Sequence, residues 1–193
     1  MARKMICLMI GITMVLCGLG IAAAAEKEIL GVKYPTELSV DGKTLQLNGL
    51  GYRKAFVFVK VYTVGLYLEQ PTHDPQQIIE SEQIKRMVTT YLTNRATADK
   101  LRNGFIEMMQ KCNPPEVFER QKKNVELYAS WLDKDMAPGL TSESTYVPGK
   151  GLTLVYQGQP KGTIPDKEFA QMYYRCNVGP TAEKTVREGL LGE

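Results

Sequence analysis

The chain has 193 residues, of which 44% are hydrophobic and 23% are charged, and its formal net charge is +3 at pH 7. This length is typical of one globular domain with a core of its own, and it leaves no room for two domains of ordinary size. The near balance of charges gives no reason to expect nucleic acid as a partner, since proteins that bind nucleic acid usually carry a strongly basic face.

The N-terminus has the pattern of a secretory signal peptide. Arg3 and Lys4 precede an apolar run over residues 5–21, and alanines follow it. The pattern predicts a signal peptide over residues 1–25, cleavage near Ala25, and export of a domain of residues 26–193 to the periplasm or the medium. Cleavage removes Arg3 and Lys4, which lowers the number of basic residues from 24 to 22. With 21 acidic residues, the net charge of the exported domain is then +1. The alternative is a retained membrane anchor, for which the run is short.

The first elements of the exported domain have strand patterns. Residues 38–40 and 44–47 flank Asp41-Gly42, a pair that suits a tight hairpin turn. The glycine-rich segment 48–51 is expected to end this strand. A long strand is predicted over residues 53–68, and its centre is apolar on both faces, so it should be covered on both sides or line a cavity.

Helical and strand patterns then alternate. A short helix is expected within residues 69–82 and a strand over 84–92. Thr97 is a plausible N-cap of the next helix, and Asn113 is the predicted cap of the one after it, with Pro114 at its first position. The remaining predicted elements are a hairpin over 144–156, a turn at 157–160, and helices over 166–176 and from 180 to 192. This order predicts an α+β domain, an antiparallel sheet with helices packed on one face. No segment after residue 25 is apolar enough to span a membrane, so no stable span is expected after cleavage.

Common catalytic and metal-binding motifs are absent from the sequence. It contains no CxxC, HExxH or GxSxG and no glycine-rich phosphate loop, and its one histidine, His73, lies in a proline-bounded loop. We therefore expect no metal site and no cofactor. Cys112 and Cys176 remain after cleavage as an even pair, which in an oxidising compartment favours a disulfide. The alternative is two buried thiols.

Arg53 is the polar residue with the clearest chemical implication. It begins an otherwise apolar strand, where we expect it to be buried beside a cavity, and a buried guanidinium needs a partner. Its planar fork suits a carboxylate or phenolate oxygen. Tyr62 follows nine residues later and would lie on the opposite side of an unbroken strand, so a bend, a bulge or the neighbouring Tyr91 would have to bring a hydroxyl to the same ligand. Alternatively, Arg53 lies on the surface and Tyr62 belongs to the core.

Residues 50–69 resemble the characteristic strand of the chalcone isomerase superfamily, with a Gly-x-Arg, a Phe-Val-Lys-rich centre and a Gly-hydrophobic-Tyr-Leu-Glu ending. Further matches follow in the same order in the C-terminal half: residues 148–151, Gly158, Ile164, Phe169, residues 179–180 and residues 190–192. The resemblance is greatest to the exported bacterial branch. It implies an open-faced β-sandwich, in which a large antiparallel sheet carries a helical layer with a ligand cleft between them.

The resemblance also implies roles for particular positions. In the plant isomerases an arginine steers the phenolate of the substrate into ring closure, and Arg53 matches it. The threonine that helps to hold the carbonyl falls at Tyr62, the catalytic tyrosine near Thr97 and the asparagine near Gly104. Non-enzymatic relatives bind fatty acids, with arginine and tyrosine hydroxyls holding the carboxylate. This chain keeps the arginine, as Arg53, while the other three polar positions differ. That combination fits fatty-acid binding better than isomerase activity.

Three hypotheses follow. The first is a binding protein for a small apolar carboxylate resembling a fatty acid, without catalysis. In it Arg53 supplies charge, Tyr62 and Tyr91 supply hydroxyls, and other side chains line the cleft. These candidates are Phe56, Phe58, Val88, Thr97, Leu101, Phe105 and Met109. The second is an intramolecular lyase of the chalcone isomerase type acting on a phenolic substrate, with Arg53 stabilising a phenolate and Tyr62 polarising a carbonyl. The third is a structural or assembly factor of the cell envelope.

Overall fold

The structure, a computed structural model, describes residues 25–55 and 59–193. The predicted signal peptide, apart from Ala25, lies outside the described residues, and so do the proposed cleft residues Phe56 and Phe58.

The described residues form two antiparallel sheets and five helices. A small sheet pairs β1 (Glu26–Ile29) with β2 (Val32–Pro35). The large sheet has seven strands in sequence order: β3 (Glu37–Val40), β4 (Lys43–Ala55), β5 (Val59–Leu68), β6 (Lys85–Tyr91), β7 (Thr141–Val147), β8 (Gly151–Tyr156) and β9 (Gln159–Ile164). The helices are α1 (Pro75–Glu80), α2 (Ala98–Cys112), α3 (Pro115–Ser130), α4 (Lys167–Val178) and α5 (Lys184–Leu191). The predicted α+β class is confirmed, and so is the antiparallel sheet with its helical layer.

The two faces of the large sheet have different covers. The helices bury one face, where side chains such as Leu66 and Leu154 join Phe169 of α4 in the main core. A smaller cluster that includes Tyr67 lies on the other face beneath the β1–β2 sheet. There the Tyr34 hydroxyl hydrogen-bonds Thr63 Oγ1 at 2.8 Å, so the buried polar groups of this layer satisfy one another. Within residues 25–55 and 59–193, none of the helices combines the length and the apolar character needed to cross a membrane.

Several local predictions agree with the structure. Asp41 and Gly42 have φ values of 50° and 77°, as a primed hairpin turn between β3 and β4 requires. The Thr97 hydroxyl accepts a hydrogen bond from the Lys100 amide and caps α2. A helix is predicted to begin at about Asp166, and in the structure the Asp166 side chain caps α4 by accepting a hydrogen bond from the Phe169 amide at 3.0 Å. Turn and cap chemistry is local, and for this reason the sequence alone identifies these boundaries.

The glycine-rich segment 48–51 does not end a strand, contrary to prediction, because β4 runs through it. Its glycines instead allow α5 to approach closely. A Cβ on Gly49 would lie 2.2 Å from the carbonyl oxygen of Gly189, and one on Gly51 would lie 2.7 Å from that of Val186. The glycines therefore mark a contact between helix and sheet, which the sequence pattern does not distinguish from a turn.

The predicted strand over 53–68 is also wrong, because the chain reverses within it. β4 ends at Ala55, β5 begins at Val59, and the two strands pair antiparallel. No glycine, proline or asparagine occurs between these ends, so the usual turn signals are missing. Two smaller predictions are also corrected. Asn113, the predicted N-cap of α3, is the C-cap of α2, and Pro114 is the N-cap of α3. The predicted turn at 157–160 is shorter, because β9 begins at Gln159.

Candidate functional site

Three polar side chains lie side by side across three neighbouring strands. Arg53 on β4 is the register partner of Tyr62 on β5, and Tyr62 is the partner of Tyr91 on β6. Directly opposed residues of an antiparallel sheet share a face, so all three point towards the helical layer. The ring centroids of Tyr62 and Tyr91 are 5.9 Å apart with the planes tilted by 58°. The prediction that Tyr62 lies on the opposite side from Arg53 is therefore wrong, because the two residues belong to different strands.

This row faces two connected chambers between the sheet and the helices. The first, here called the α5-side chamber, has a volume of about 290 Å³ and extends to Thr181, Glu183 and Val186 at α5. The second, the α3-side chamber, has a volume of about 140 Å³ and extends to Tyr128 of α3. The residues that line both chambers are Arg53, Tyr62, Gly104, Met108 and Asn177. Arg53 and Tyr62 thus lie where the two chambers meet.

The α5-side chamber is the more highly charged of the two. Besides Arg53 it is lined by the basic Lys111 and by the acidic Glu107 and Glu183. Burial raises the pKa of Tyr62, the Arg53 guanidinium lowers it in part, and Glu183 raises it again. The net effect is upward, so at neutral pH the Tyr62 hydroxyl keeps its proton and can donate a hydrogen bond beside the guanidinium.

The α3-side chamber combines an apolar wall with paired hydroxyls. Its apolar lining residues are Val64, Met87, Leu101, Phe105, Met108, Leu132 and Leu154. At its inner end Ser144 Oγ lies 2.6 Å from the Tyr128 hydroxyl and accepts a hydrogen bond from the Tyr173 hydroxyl at 2.8 Å. Burial raises the pKa of Tyr128, and it raises the pKa of Tyr173 to about 12, so both stay neutral. This chamber therefore suits an uncharged part of a ligand.

Arg53 is exposed and not buried, contrary to expectation. It lies close to the end of β4, where Lys54 is also exposed, and solvent reaches the guanidinium from the outer side. None of the salt bridges among the described residues includes Arg53, so its guanidinium has no carboxylate partner in the part of the chain that the structure describes. Glu107 and Glu183 line the same chamber, but neither is paired with Arg53, so the guanidinium at the cavity mouth is available to an anionic group.

The other proposed cleft residues divide into two groups. Leu101 and Phe105 line the α3-side chamber together with Tyr91. Thr97, Val88 and Met109 line neither chamber. Thr97 is occupied in capping α2, and Val88 packs in the cluster on the opposite face of the sheet.

Met109 is fully buried in the main core, and its neighbour Met108 takes the lining position. The chain also contributes lining residues that sequence reasoning missed, among them Tyr128, Ser144, Tyr173 and Asn177. They come from α3, β7 and α4, and no local pattern joins these elements. Gly104, where the resemblance places a departure from the plant isomerases, lines both chambers.

Cys112 and Cys176 are free, buried thiols in the structure. Both line the α5-side chamber. The structure thus corresponds to the alternative of two buried thiols, and the disulfide stays a prediction.

Together, a curled seven-stranded antiparallel sheet, a helical layer and the cleft between them define a chalcone isomerase-like α+β fold. The sequence model of the chalcone isomerase-like family matches residues 26–192, so the chain belongs to that family. The fold is similar to the crystal structure of a fatty-acid binding protein from Arabidopsis thaliana (AtFAP1), with a TM-score of 0.69 and 16% identity, covering 86% of this chain and 96% of that chain. A search of curated protein sequences finds no match.

Proposed function

We propose that the mature chain is an exported, periplasmic protein that binds a small apolar carboxylate resembling a fatty acid, and that it does so without catalysis. The observation that carries the proposal is the position of Arg53. Its guanidinium lies at the junction of the two chambers beside the Tyr62 hydroxyl, with one chamber walled largely by apolar side chains.

The head group would be held by charge and by a neutral donor. A carboxylate can accept two parallel hydrogen bonds from a guanidinium, and charge-assisted bonds of this kind are stronger than neutral ones. The raised pKa of Tyr62 keeps its hydroxyl protonated, so it can donate to the same carboxylate. The two groups are register partners on adjacent strands, and a sheet holds such a pair in a fixed arrangement.

The apolar part of the ligand would enter the α3-side chamber, past Leu101 and Phe105. Ligand sites for small molecules typically have volumes of about 300–1,000 Å³. The α5-side chamber, at about 290 Å³, is at the lower end of this range, and the α3-side chamber is smaller at about 140 Å³. The volumes favour a tail of short or medium length, up to about that of dodecanoate, over a long-chain fatty acid. Met108, which lines both chambers, is flexible enough to adapt to different tails.

Two further observations support binding over isomerase chemistry. Thr97, near which the catalytic tyrosine of the plant enzymes falls, lines neither chamber. At Gly104, near which the asparagine falls, there is no side chain at all. The fatty-acid binding protein of similar fold supports the ligand class, and the N-terminal pattern of Arg3, Lys4 and an apolar run supports export.

The test compares head groups on one tail. Isothermal titration of the mature chain with octanoate, dodecanoate and dodecanol should give measurable binding of a carboxylate, with the alcohol at least about tenfold weaker because it lacks the charge. Equal affinity of dodecanoate and dodecanol would overturn the role given to Arg53. Depletion of the visible absorbance of a chalcone faster than in buffer, and lost in Arg53→Ala, would instead favour the isomerase.

A further inference from the structure

Two cysteines face each other across the contact between α2 and α4. Cys112 is the last residue of α2, and Cys176 lies in α4. The sulfur of Cys176 lies 3.5 Å from Met109 Sδ and 3.6 Å from the carbonyl oxygen of Met108, against the last turn of the helix that Cys112 ends. Asn113 Nδ2 donates to the same sulfur at 3.3 Å. Two thiols from distant parts of the chain thus meet in one wall.

The two thiols differ in environment. A hydrogen bond from the Cys176 thiol lowers the pKa of Cys112, and the charge of Lys111 adds to the effect. The same hydrogen bond and burial raise the pKa of Cys176 well above its ordinary value. Cys112 is thus the more acidic thiol of the pair, and it is the thiolate that reacts in thiol chemistry.

The location makes this thiolate reachable. Both sulfur-bearing residues line the α5-side chamber, whose volume of about 290 Å³ admits a small molecule. Cys112 is the more accessible of the two, with 8% of its surface exposed against 3% for Cys176. Packing alone explains a buried cysteine, which behaves as a small apolar residue. It does not explain two thiols in the same wall of a chamber, with the cationic Lys111 next to the more acidic one.

We propose that Cys112 and Cys176 form a dithiol–disulfide site in the chamber wall, with Cys112 as the attacking thiol and Cys176 as the resolving thiol. The co-reactant is a disulfide of the small-molecule or exchange-protein type. The Cys112 thiolate attacks one sulfur of that disulfide, its S–S bond breaks, and one half leaves as a thiolate. Cys176 then loses its proton and attacks Cys112 Sγ, which releases the other half. The chain is oxidised by two electrons, and the co-reactant is reduced to two thiols.

This site goes beyond the proposed ligand function and does not depend on it. A bridge would join the end of α2 to α4, two helices that line both chambers. It would also fit the oxidising compartment that the N-terminal pattern predicts, where such bonds persist. The redox state of the pair can be measured without any carboxylate ligand, so failure of one proposal is distinguishable from failure of the other.

The test uses the reduced mature chain in glutathione buffers, followed by rapid alkylation and intact mass. In the wild type, neither cysteine is expected to be alkylated after oxidation. The intact mass should fall by two hydrogens, as a disulfide requires, with no glutathione attached. Cys176→Ser is expected to stop at a glutathione adduct on Cys112, whereas Cys112→Ser stays unmodified at the same ratio. A wild type that remains a dithiol in excess glutathione disulfide would overturn the proposal, as would an adduct confined to Cys112→Ser. If a serine variant fails to fold, peptide mapping of the wild type after brief oxidation still decides, since the first adduct must lie on Cys112.

Discussion

Gly104 offers a way to close the ligand site without touching its polar groups. It lies inside α2 and lines both chambers, and no atom outside its chain neighbours and the backbone of its own helix lies within 4 Å of where its Cβ would be. Leu101 and Met108 lie one turn before and one turn after it, and both line the α3-side chamber. A side chain at this position would therefore project into the junction of the chambers.

The expected magnitudes differ for a small and a large substitution. Glycine in a helix interior is about 1 kcal/mol less favourable than alanine, so Gly104→Ala should raise the free energy of unfolding by about that amount. Leucine has nearly the same helix propensity, so Gly104→Leu should also fold stably. Its extra atoms would compete with the ligand, and overpacking of this kind typically costs about 1–3 kcal/mol, a weakening of roughly 5- to 150-fold.

The assay pairs urea unfolding with isothermal titration of dodecanoate for both variants. Gly104→Ala is the matched control and should bind within about threefold of the wild type, as a change below 1 kcal/mol implies. Gly104→Leu should be stable but bind weakly. If Gly104→Leu binds as tightly as Gly104→Ala, the ligand does not occupy the junction beside Arg53.

Other predictions concern stability and processing. Gly49→Ala should lower the free energy of unfolding in urea by about 2–3 kcal/mol, because the new Cβ would lie 2.2 Å from a backbone oxygen of α5. A variant as stable as the wild type would refute the close contact. Lys85→Met should lower the free energy of unfolding by about 2–4 kcal/mol, since the Lys85 ammonium donates to the carbonyl oxygens of Ile78 and Ser81 at 2.8 and 3.0 Å. Burial lowers the pKa of Lys85 to about 8, so the unfolded state binds more protons above that pH. Stability should then rise from pH 8 towards about pH 9.5, below the titration of tyrosines, and the rise should be absent in Lys85→Met. N-terminal sequencing of the protein from a periplasmic fraction should give Glu26 as the first residue. A protein that still carries residues 1–25 would contradict the predicted signal peptide.

The sequence allowed the hairpin at Asp41-Gly42 and the Thr97 cap of α2 to be predicted, because each depends on neighbouring residues, and the order of the elements allowed the fold class to be predicted. Strand pairing was harder, because the reversal between β4 and β5 has no turn residue to mark it. The sequence nevertheless predicts Arg53, Tyr62 and Tyr91 as candidates for one ligand, and the structure aligns them across three strands by a register that no single segment contains.

The misassigned cleft residues have simple geometric causes. Val88 and Tyr91 are an odd number of positions apart on β6, so they point to opposite faces of the sheet. The apolar stripe of α2 is wider than the part that lines the chambers, and only the structure shows that Met108 faces a chamber while Met109 enters the core. The inner hydroxyls of Tyr128, Ser144 and Tyr173 meet through tertiary packing alone.

The role of Arg53 is tested most directly by one pair of variants. Arg53→Ala removes the charge at the chamber junction, whereas Lys54→Ala removes the charge of the next residue of β4, which is also exposed and whose ammonium lies over the Tyr52 ring. Isothermal titration with dodecanoate should give a loss of about 1–3 kcal/mol for Arg53→Ala, roughly 5- to 150-fold in Kd. Lys54→Ala should change Kd by less than about twofold, as expected for an exposed charge away from the ligand. Equal affinities for Arg53→Ala and Lys54→Ala would contradict an anion-binding role for Arg53.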